Sequence, residues 1–149
     1  METDASIVFS FSPRFYPARS LYQGRVDFRK HYYDAIGGMN AEEVECARVI
    51  DNLAETAYWV RNIDRVHGHS FSLPTSTDNF YPDFVALLHD GRILCVEYKG
   101  ANMMSTDDTK EKRQVGELWA ARSDGRCLFR LVGKANAQGE IQSAVATTS

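Results

Sequence analysis

The sequence predicts an α/β domain in which a mixed sheet of about four strands has helices on both faces. The first observation is the order of elements: a stretch with helical periodicity, three apolar runs, a second helical stretch and a last apolar run. The predicted order is therefore α-β-β-β-α-β. The second observation is that the two central runs are apolar on both faces, which requires cover on each side of the sheet. A length of 149 residues suffices for about one domain with a buried core.

The first predicted helix occupies residues 40–55, NAEEVECARVIDNLAE. Asn40 is a suitable N-cap, and the acidic residues that follow it favour the positive end of the helix dipole. At ~100° per residue, Glu43 projects near the middle of the apolar side of this helix, in line with Ala47 and Ile50. An acid that faces the core side of a helix is a candidate functional residue.

The remaining elements follow in order along the chain. TAYWVRNI is the first strand, a loop follows it, and the central strands occupy about residues 82–88 and 92–99. The second helix lies in residues 105–125, where Asp108 and Glu111 resemble a capping box and the apolar stripe is Val115, Leu118 and Trp119. RCLFRLVG forms the last strand.

The chain divides into three parts on this interpretation. Residues 1–39 are irregular, aromatic and basic, and we expect them to form an extension packed on the core. Residues 40–133 form the core, and residues 134–149 are predicted to be a polar C-terminal tail.

Composition excludes several classes of protein. A net charge of −3 argues against a nucleic-acid binder that relies on overall charge, although it permits a local basic groove. No stretch approaches the roughly 20 apolar residues that cross a bilayer, and the N-terminus has no signal-peptide pattern. The three cysteines lack CxxC spacing and lie in apolar runs, which predicts reduced thiols, no disulfides and a cytoplasmic setting.

The turn between the central strands, HDGR, decides which side chains meet. With a two-residue loop, Asp83 would pair with Tyr98 and lie on the opposite face from Glu97 and Lys99. With a three-residue loop and Gly91 in the left-handed position, Asp83 pairs with Glu97, and Lys99 follows on the same face. We expect the second register, because it collects the charges at one end of one face.

Two carboxylates so close together raise each other's pKa unless a cation lies between them. A hard divalent ion bound by both carboxylates, water and a phosphate oxygen removes this conflict. Lys99 is then placed to contact an attacking water or the charge that develops on phosphorus. Glu43 adds a third carboxylate, as an outer ligand of the metal or water, if its helix packs on that face. The alternative is that these residues are solvated strand ends joined by an ordinary ion pair.

The spacing of these residues matches a known pattern. Pro82-Asp83, thirteen intervening residues and Glu97-Tyr98-Lys99 resemble the PD-(D/E)XK motif of the restriction-endonuclease-like nuclease superfamily. EEVECARVID, YWVRNI, SFSLPTSTDNFYPDFVALLHDGRILCVEYKG and DDTKEKRQVGELWA resemble the C-terminal nuclease domain of type III restriction enzyme helicase (Res) subunits. With FYPARSLYQGRVDFRKHYYDAIG, which is similar to the preceding stretch of such subunits, the resemblance covers roughly residues 14–133.

The resemblance implies a restriction-endonuclease-like core and a Mg²⁺-dependent DNA endonuclease, with Mn²⁺ as a substitute ion. Asp83 and Glu97 would bind the metal together with the backbone carbonyl of Tyr98. Lys99 would be the catalytic lysine and Glu43 the helix acid of the superfamily. The chain has no GxxxxGK[ST] motif and no DEAD/DEAH box, so no ATP site is expected. A helicase domain or a specificity/methyltransferase subunit would be its partner.

Several polar residues are candidates for contacts with DNA phosphates. They follow the first strand, lie in the polar turn after Pro74 or lie on the second helix: Arg61, Asn62, Ser76, Lys110, Lys112, Arg113 and Gln114. Strand-end ion pairs, turn caps and a solvated helix face explain the same residues equally well. The sequence thus leaves three functions open: a nuclease, a catalytically silent DNA-binding or partner-docking module of the same fold, and an interaction domain of a larger helicase.

Overall fold

The computed structural model describes residues 21–63, 71–76 and 79–146 of the chain. Three helices lie within these ranges: α1 (Ala41–Asn52), α2 (Asp107–Ala121) and α3 (Ala137–Ala146). The strands are β1 (Thr56–Arg61), β2 (Leu73–Pro74), β3 (Asn79–Phe80), β4 (Phe84–Leu88), β5 (Ile93–Tyr98) and β6 (Cys127–Val132).

Four of the strands form one mixed sheet in the order β1-β4-β5-β6. β1, β4 and β5 are antiparallel neighbours, whereas β6 runs parallel to β5 after the crossover through α2. The predicted α/β class and mixed sheet are confirmed. β2 and β3 form a separate two-stranded sheet within the stretch that was expected to be a loop.

Helices cover both faces of the sheet. On one face, Trp119 of α2 packs in a cluster with Val85, Cys95 and Phe129. On the other face, α1 and α3 pack against a second cluster that includes Phe84, Leu94, Val96 and Val132. The two central strands are therefore buried on both sides, as their sequences predict.

The two predicted helix starts have different outcomes. Asn40 caps α1 as expected, since its Oδ1 accepts from the Glu43 amide at 2.8 Å and its own amide donates to Glu43 Oε1 at 2.9 Å. The predicted capping box at Asp108 is wrong, because the cap is Thr106, whose Oγ1 accepts from the Thr109 amide.

The predicted apolar stripe of α2 is only partly correct. Trp119 is buried, but Leu118 is 51% exposed. The reason lies at Gly116, which is buried so close to the sheet that an added Cβ would lie 2.5 Å from the Phe129 ring. Close approach at this small residue therefore sets the rotation of the helix about its axis.

The C-terminal residues differ from the expected polar tail, because α3 occupies most of them. Ile141, Ala144 and Val145 of α3 are buried in the same cluster as α1. Ala144 and Val145 follow Ile141 by three and four residues, which places the three side chains on one face of the helix. Few of these side chains are large. Residues 147–149 lie outside the described ranges.

Residues 30–32 lie along the outer edge of β1. The Trp59 amide donates to Lys30 O at 3.0 Å, and the Tyr32 amide donates to Trp59 O at 2.9 Å. His31 continues this pairing through its side chain, because Nε2 accepts from the Arg61 amide at 3.0 Å. We call residues 30–32 the edge segment. The rest of the predicted extension, residues 1–20, lies outside the described ranges.

Asp51 of α1 fastens the edge segment to the core. Its buried carboxylate accepts from the Lys30 amide at 2.8 Å, from the Arg29 amide at 3.2 Å and from the Trp59 indole at 3.0 Å. Three donors from two parts of the chain thus converge on one side chain.

The described residues also bear on the expected absence of disulfides and of a membrane-spanning segment. All three cysteines are buried free thiols. Within the described part of the chain, the helices are too short or too polar to span a bilayer.

Candidate active site at the ends of β4 and β5

The turn between β4 and β5 sets the register of the site. Leu88 donates to Arg92 O at 2.9 Å, Gly91 donates back to Leu88 O at 2.9 Å, and Gly91 has a φ of +92°. Residues 89–91 thus form the three-residue loop, with glycine in the left-handed position, that the sequence predicts. The ladder pairs Phe84 with Val96, and its continuation by one position places Asp83 opposite Glu97.

Asp83 and Glu97 are joined by hydrogen bonds at this end of the two strands. Glu97 Oε1 accepts from the Asp83 amide at 3.1 Å, and Asp83 Oδ2 accepts from the Tyr98 amide at 2.8 Å. Each carboxylate is therefore oriented by the backbone of the neighbouring strand. The N–H and C=O groups of one residue in a strand point to the same neighbouring strand. The Tyr98 carbonyl therefore faces the side of β4 and Asp83, as the Tyr98 amide does.

Two lysines lie on the other side of Glu97. Lys99 Nζ is 3.2 Å from Glu97 Oε2, and Lys112 Nζ, supplied by α2, is 4.0 Å from the same oxygen. Lys112 also pairs with Asp108 at 3.2 Å and lies over the Phe80 ring. α2 thus adds a second ammonium group to the one that the sequence motif supplies.

Burial dominates the ionisation of Glu97, whose side chain is only 4% exposed. Desolvation and the neighbouring Asp83 carboxylate raise the pKa of Glu97 to about 8, against the opposing effect of Lys99 and Lys112. Burial alone would lower the pKa of Lys99, but the Glu97 carboxylate outweighs it and the pKa of Lys99 is raised. The two lysines therefore do not offset the effects of burial and Asp83 on the pKa of Glu97.

Arg61, at the end of β1, joins Asp83 to a third acid. Its Nη1 is 3.0 Å from Asp83 Oδ1, and its Nη2 is 3.2 Å from Glu43 Oε2. Its Nε donates to Gly38 O at 3.2 Å. The guanidinium is thus held by three different parts of the chain and lies between the two carboxylates.

Glu43 contacts Arg61 and does not join the Asp83–Glu97 pair as a third carboxylate. α1 packs on the opposite face of the sheet, and the two Glu43 oxygens contact the Asn40 amide and Arg61. Among the residues that the structure describes, no three His, Cys, Asp or Glu side chains form a group that could hold a metal ion. The Asn-x-x-Glu spacing at residues 40–43 was the available signal, since it predicts a capping box.

The candidate DNA contacts fall into two groups. Asn62 is buried with its amide group bound to Phe71 and Pro82, and the Ser76 amide donates to Glu111 Oε2 at 2.8 Å. These two residues hold loops in place, and Arg61 and Lys112 are held in their ion pairs. The exposed candidates on α2 are Lys110, Arg113 and Gln114.

The donor set of the site suits a hard divalent ion. Mg²⁺ in proteins is commonly bound by one or two carboxylates, with water and phosphate oxygens completing its coordination. Asp83 and Glu97 are two such carboxylates, and the raised pKa of Glu97 marks a place where added positive charge would favour ionisation. The residues present therefore fit Mg²⁺ with two protein carboxylates, without Glu43.

Comparison of the chain with protein-family models, with curated proteins and with solved structures found no match.

Proposed function

We propose that this chain is a Mg²⁺-dependent DNA endonuclease domain that hydrolyses phosphodiester bonds. One observation carries the proposal: Asp83 and Glu97 meet at the ends of neighbouring strands, and Lys99 pairs with Glu97 at 3.2 Å. The motif that resembles PD-(D/E)XK nucleases thus has its acids and its base in one cluster. A restriction-endonuclease-like core is part of the same proposal.

Asp83 and Glu97 would hold the metal, with the Tyr98 carbonyl as a further ligand. When bound, Mg²⁺ supplies positive charge that stabilises the charge developing on the scissile phosphate. Lys99 orients the attacking water, and its ammonium group favours the ionised form of Glu97. Lys112 adds a second positive charge from α2, at 4.0 Å from Glu97 Oε2.

Arg61 and the strand backbones support these groups. Arg61 and the Tyr98 amide each bind one oxygen of Asp83, and the Asp83 amide binds Glu97. These contacts fix the two carboxylates before a substrate arrives, which lowers the reorganisation required during the reaction.

DNA is the proposed substrate because the resemblance is to DNA-cleaving restriction enzymes and because α2 presents exposed basic residues beside the site. Lys110 and Arg113 would contact phosphates without reading bases. We therefore expect little sequence specificity from this domain, with recognition supplied by a specificity subunit or a helicase partner.

Nicking of supercoiled plasmid tests the proposal. The full chain should nick plasmid in Mg²⁺ and not in EDTA, and Asp83→Ala and Lys99→Ala should each lower the rate at least 100-fold. Lys134→Ala removes an exposed lysine beside α3 and should leave nicking unchanged. Wild-type protein that never nicks in Mg²⁺ or Mn²⁺ would refute the nuclease function.

One feature favours a second candidate, the catalytically silent module. Three cations, Arg61, Lys99 and Lys112, already pair with the carboxylates Glu43, Asp83 and Glu97, so each of these carboxylates has a cationic partner without a metal. Retention of plasmid in a gel-shift assay without nicking would indicate a DNA-binding module. Neither retention nor nicking would indicate a docking domain of a larger helicase.

A further inference from the structure

The Arg61 side chain contacts charged, polar and aromatic groups. Besides its ion pairs with Glu43 and Asp83, its Nη1 lies 3.3 Å from the main-chain carbonyl of Asp83, and Nε donates to Gly38 O. Its guanidinium lies 5.3 Å from the centre of the Phe84 ring. The side chain is only 15% exposed. Arg61 is thus largely buried and held by several contacts.

The space between Glu43 and Asp83 therefore differs from the space between Asp83 and Glu97. The gap between Glu43 and Asp83 contains the Arg61 guanidinium, which contacts one oxygen of each acid. Asp83 and Glu97 are linked by a backbone hydrogen bond, because Glu97 Oε1 accepts from the Asp83 amide. Lys99 and Lys112 lie at the other oxygen, Oε2.

We propose that Arg61 is a resident cation that closes the Glu43 side of the site, so that the chain binds a single divalent ion, between Asp83 and Glu97. This inference rests on the proposed metal-dependent function. A second ion beside Asp83 would have to displace a guanidinium held by two carboxylates and two carbonyls. Like charges at close range in a partly buried site repel strongly, so the second ion is excluded.

Glu43 has a defined place in this arrangement. Its Oε2 orients Arg61 and its Oε1 completes the cap of α1, so it acts as a positioning residue that does not bind the ion. Removal of Arg61 would leave Glu43 and Asp83 facing the same space with no cation between them. Two carboxylates in that situation form a new site for a divalent ion.

The number of bound Mn²⁺ ions tests the inference, because free Mn²⁺ is counted directly by electron paramagnetic resonance. The full-length wild type should bind one ion per chain, and Arg61→Met should bind two. Adding Glu43→Gln to Arg61→Met should return the count to one. Arg48→Met is the matched control, since Arg48 pairs only with the exposed Glu45 in the described contacts, and it should bind one ion.

Each result has one meaning. Two ions on the wild type, or one ion on folded Arg61→Met, would overturn the role of Arg61 and leave the nuclease proposal intact. No ion on the wild type would refute the metal-dependent function itself.

If Arg61→Met does not fold, Glu43→Gln decides, because glutamine keeps the helix cap. That variant should bind one ion with a Kd within threefold of the wild type. Weakening beyond threefold would make Glu43 a ligand and overturn the inference.

Discussion

Replacing Glu97 with glutamine should stabilise the protein, and the gain should grow with pH. A carboxyl group whose pKa is higher in the folded state than in the unfolded chain takes up protons on folding. Its contribution to stability is therefore complete below the unfolded pKa and is lost as the pH rises through the folded pKa. For Glu97 this window runs from about 4.5 to about 8. Glutamine at position 97 cannot ionise, so Glu97→Gln does not lose stability through this group as the pH rises.

The size of the effect follows from the two pKa values. A change of one pH unit across the window corresponds to ~1.4 kcal/mol, so the full window from about 4.5 to about 8 corresponds to roughly 5 kcal/mol. Between pH 5 and pH 8 the wild type should lose roughly 3 kcal/mol relative to Glu97→Gln. That is a large part of the 5–15 kcal/mol that is usual for a domain.

Urea denaturation at several pH values measures this difference, with the buried Trp59 and Trp119 as fluorescent probes. Glu45→Gln, an exposed change on α1, controls for the loss of one negative charge. Mg²⁺ should flatten the pH dependence of the wild type only, because a bound cation favours ionised Glu97. If the two proteins differ by a constant amount from pH 5 to pH 8, Glu97 ionises normally and the reasoning about its need for a cation fails.

Two further predictions concern the scaffold of the site. Asp51→Ala leaves the Arg29 and Lys30 amides and the Trp59 indole without their acceptor, so we expect a loss of roughly 3 kcal/mol or more in urea denaturation. Asp51→Asn should lose about half as much, and a loss below about 1 kcal/mol for the alanine variant would contradict the role of Asp51. Gly91→Ala should lose about 1–2 kcal/mol through backbone strain alone, because φ is +92° and an added Cβ meets nothing within 4 Å. An unchanged midpoint for this variant would show that the turn can relax.

The register of the central hairpin could be predicted from the sequence because two local signals agree. The glycine in the turn suits a three-residue loop, and only that register collects Asp83, Glu97 and Lys99 on one face, with Asp83 opposite Glu97. Such information lies within about twenty residues of chain, so it needs no knowledge of the rest of the fold.

The position of Glu43 could not be predicted in the same way. Helical periodicity gives the direction of a side chain relative to its own helix, but it does not tell which face of the sheet the helix covers. α1 covers the face of Phe84 and Val96, and Glu43 therefore meets Arg61 at the sheet's edge strand. No local pattern indicated that an arginine would lie between two of the acids.

Helix α3 was missed for a different reason. Its buried face consists of Ala137, Ile141, Ala144 and Val145, so half of the buried residues are alanine. Small side chains carry a weak periodic signal, yet they allow a helix to approach the sheet closely. Fold predictions from composition thus fail where burial depends on shape more than on hydrophobicity.

The edge segment has a consequence for how the chain behaves among copies of itself. An edge strand with free amides and carbonyls is a template on which another chain can add a strand, and this is a common route to aggregation. The outward amides and a carbonyl of β1 are bound by Lys30, Tyr32 and the His31 imidazole. Another chain therefore cannot add a strand at this edge. A chain shortened to begin at Asn40 would keep the acids and cations of the candidate site, but it would lose the Gly38 carbonyl that binds Arg61 and would expose the edge of β1 to pairing with other chains.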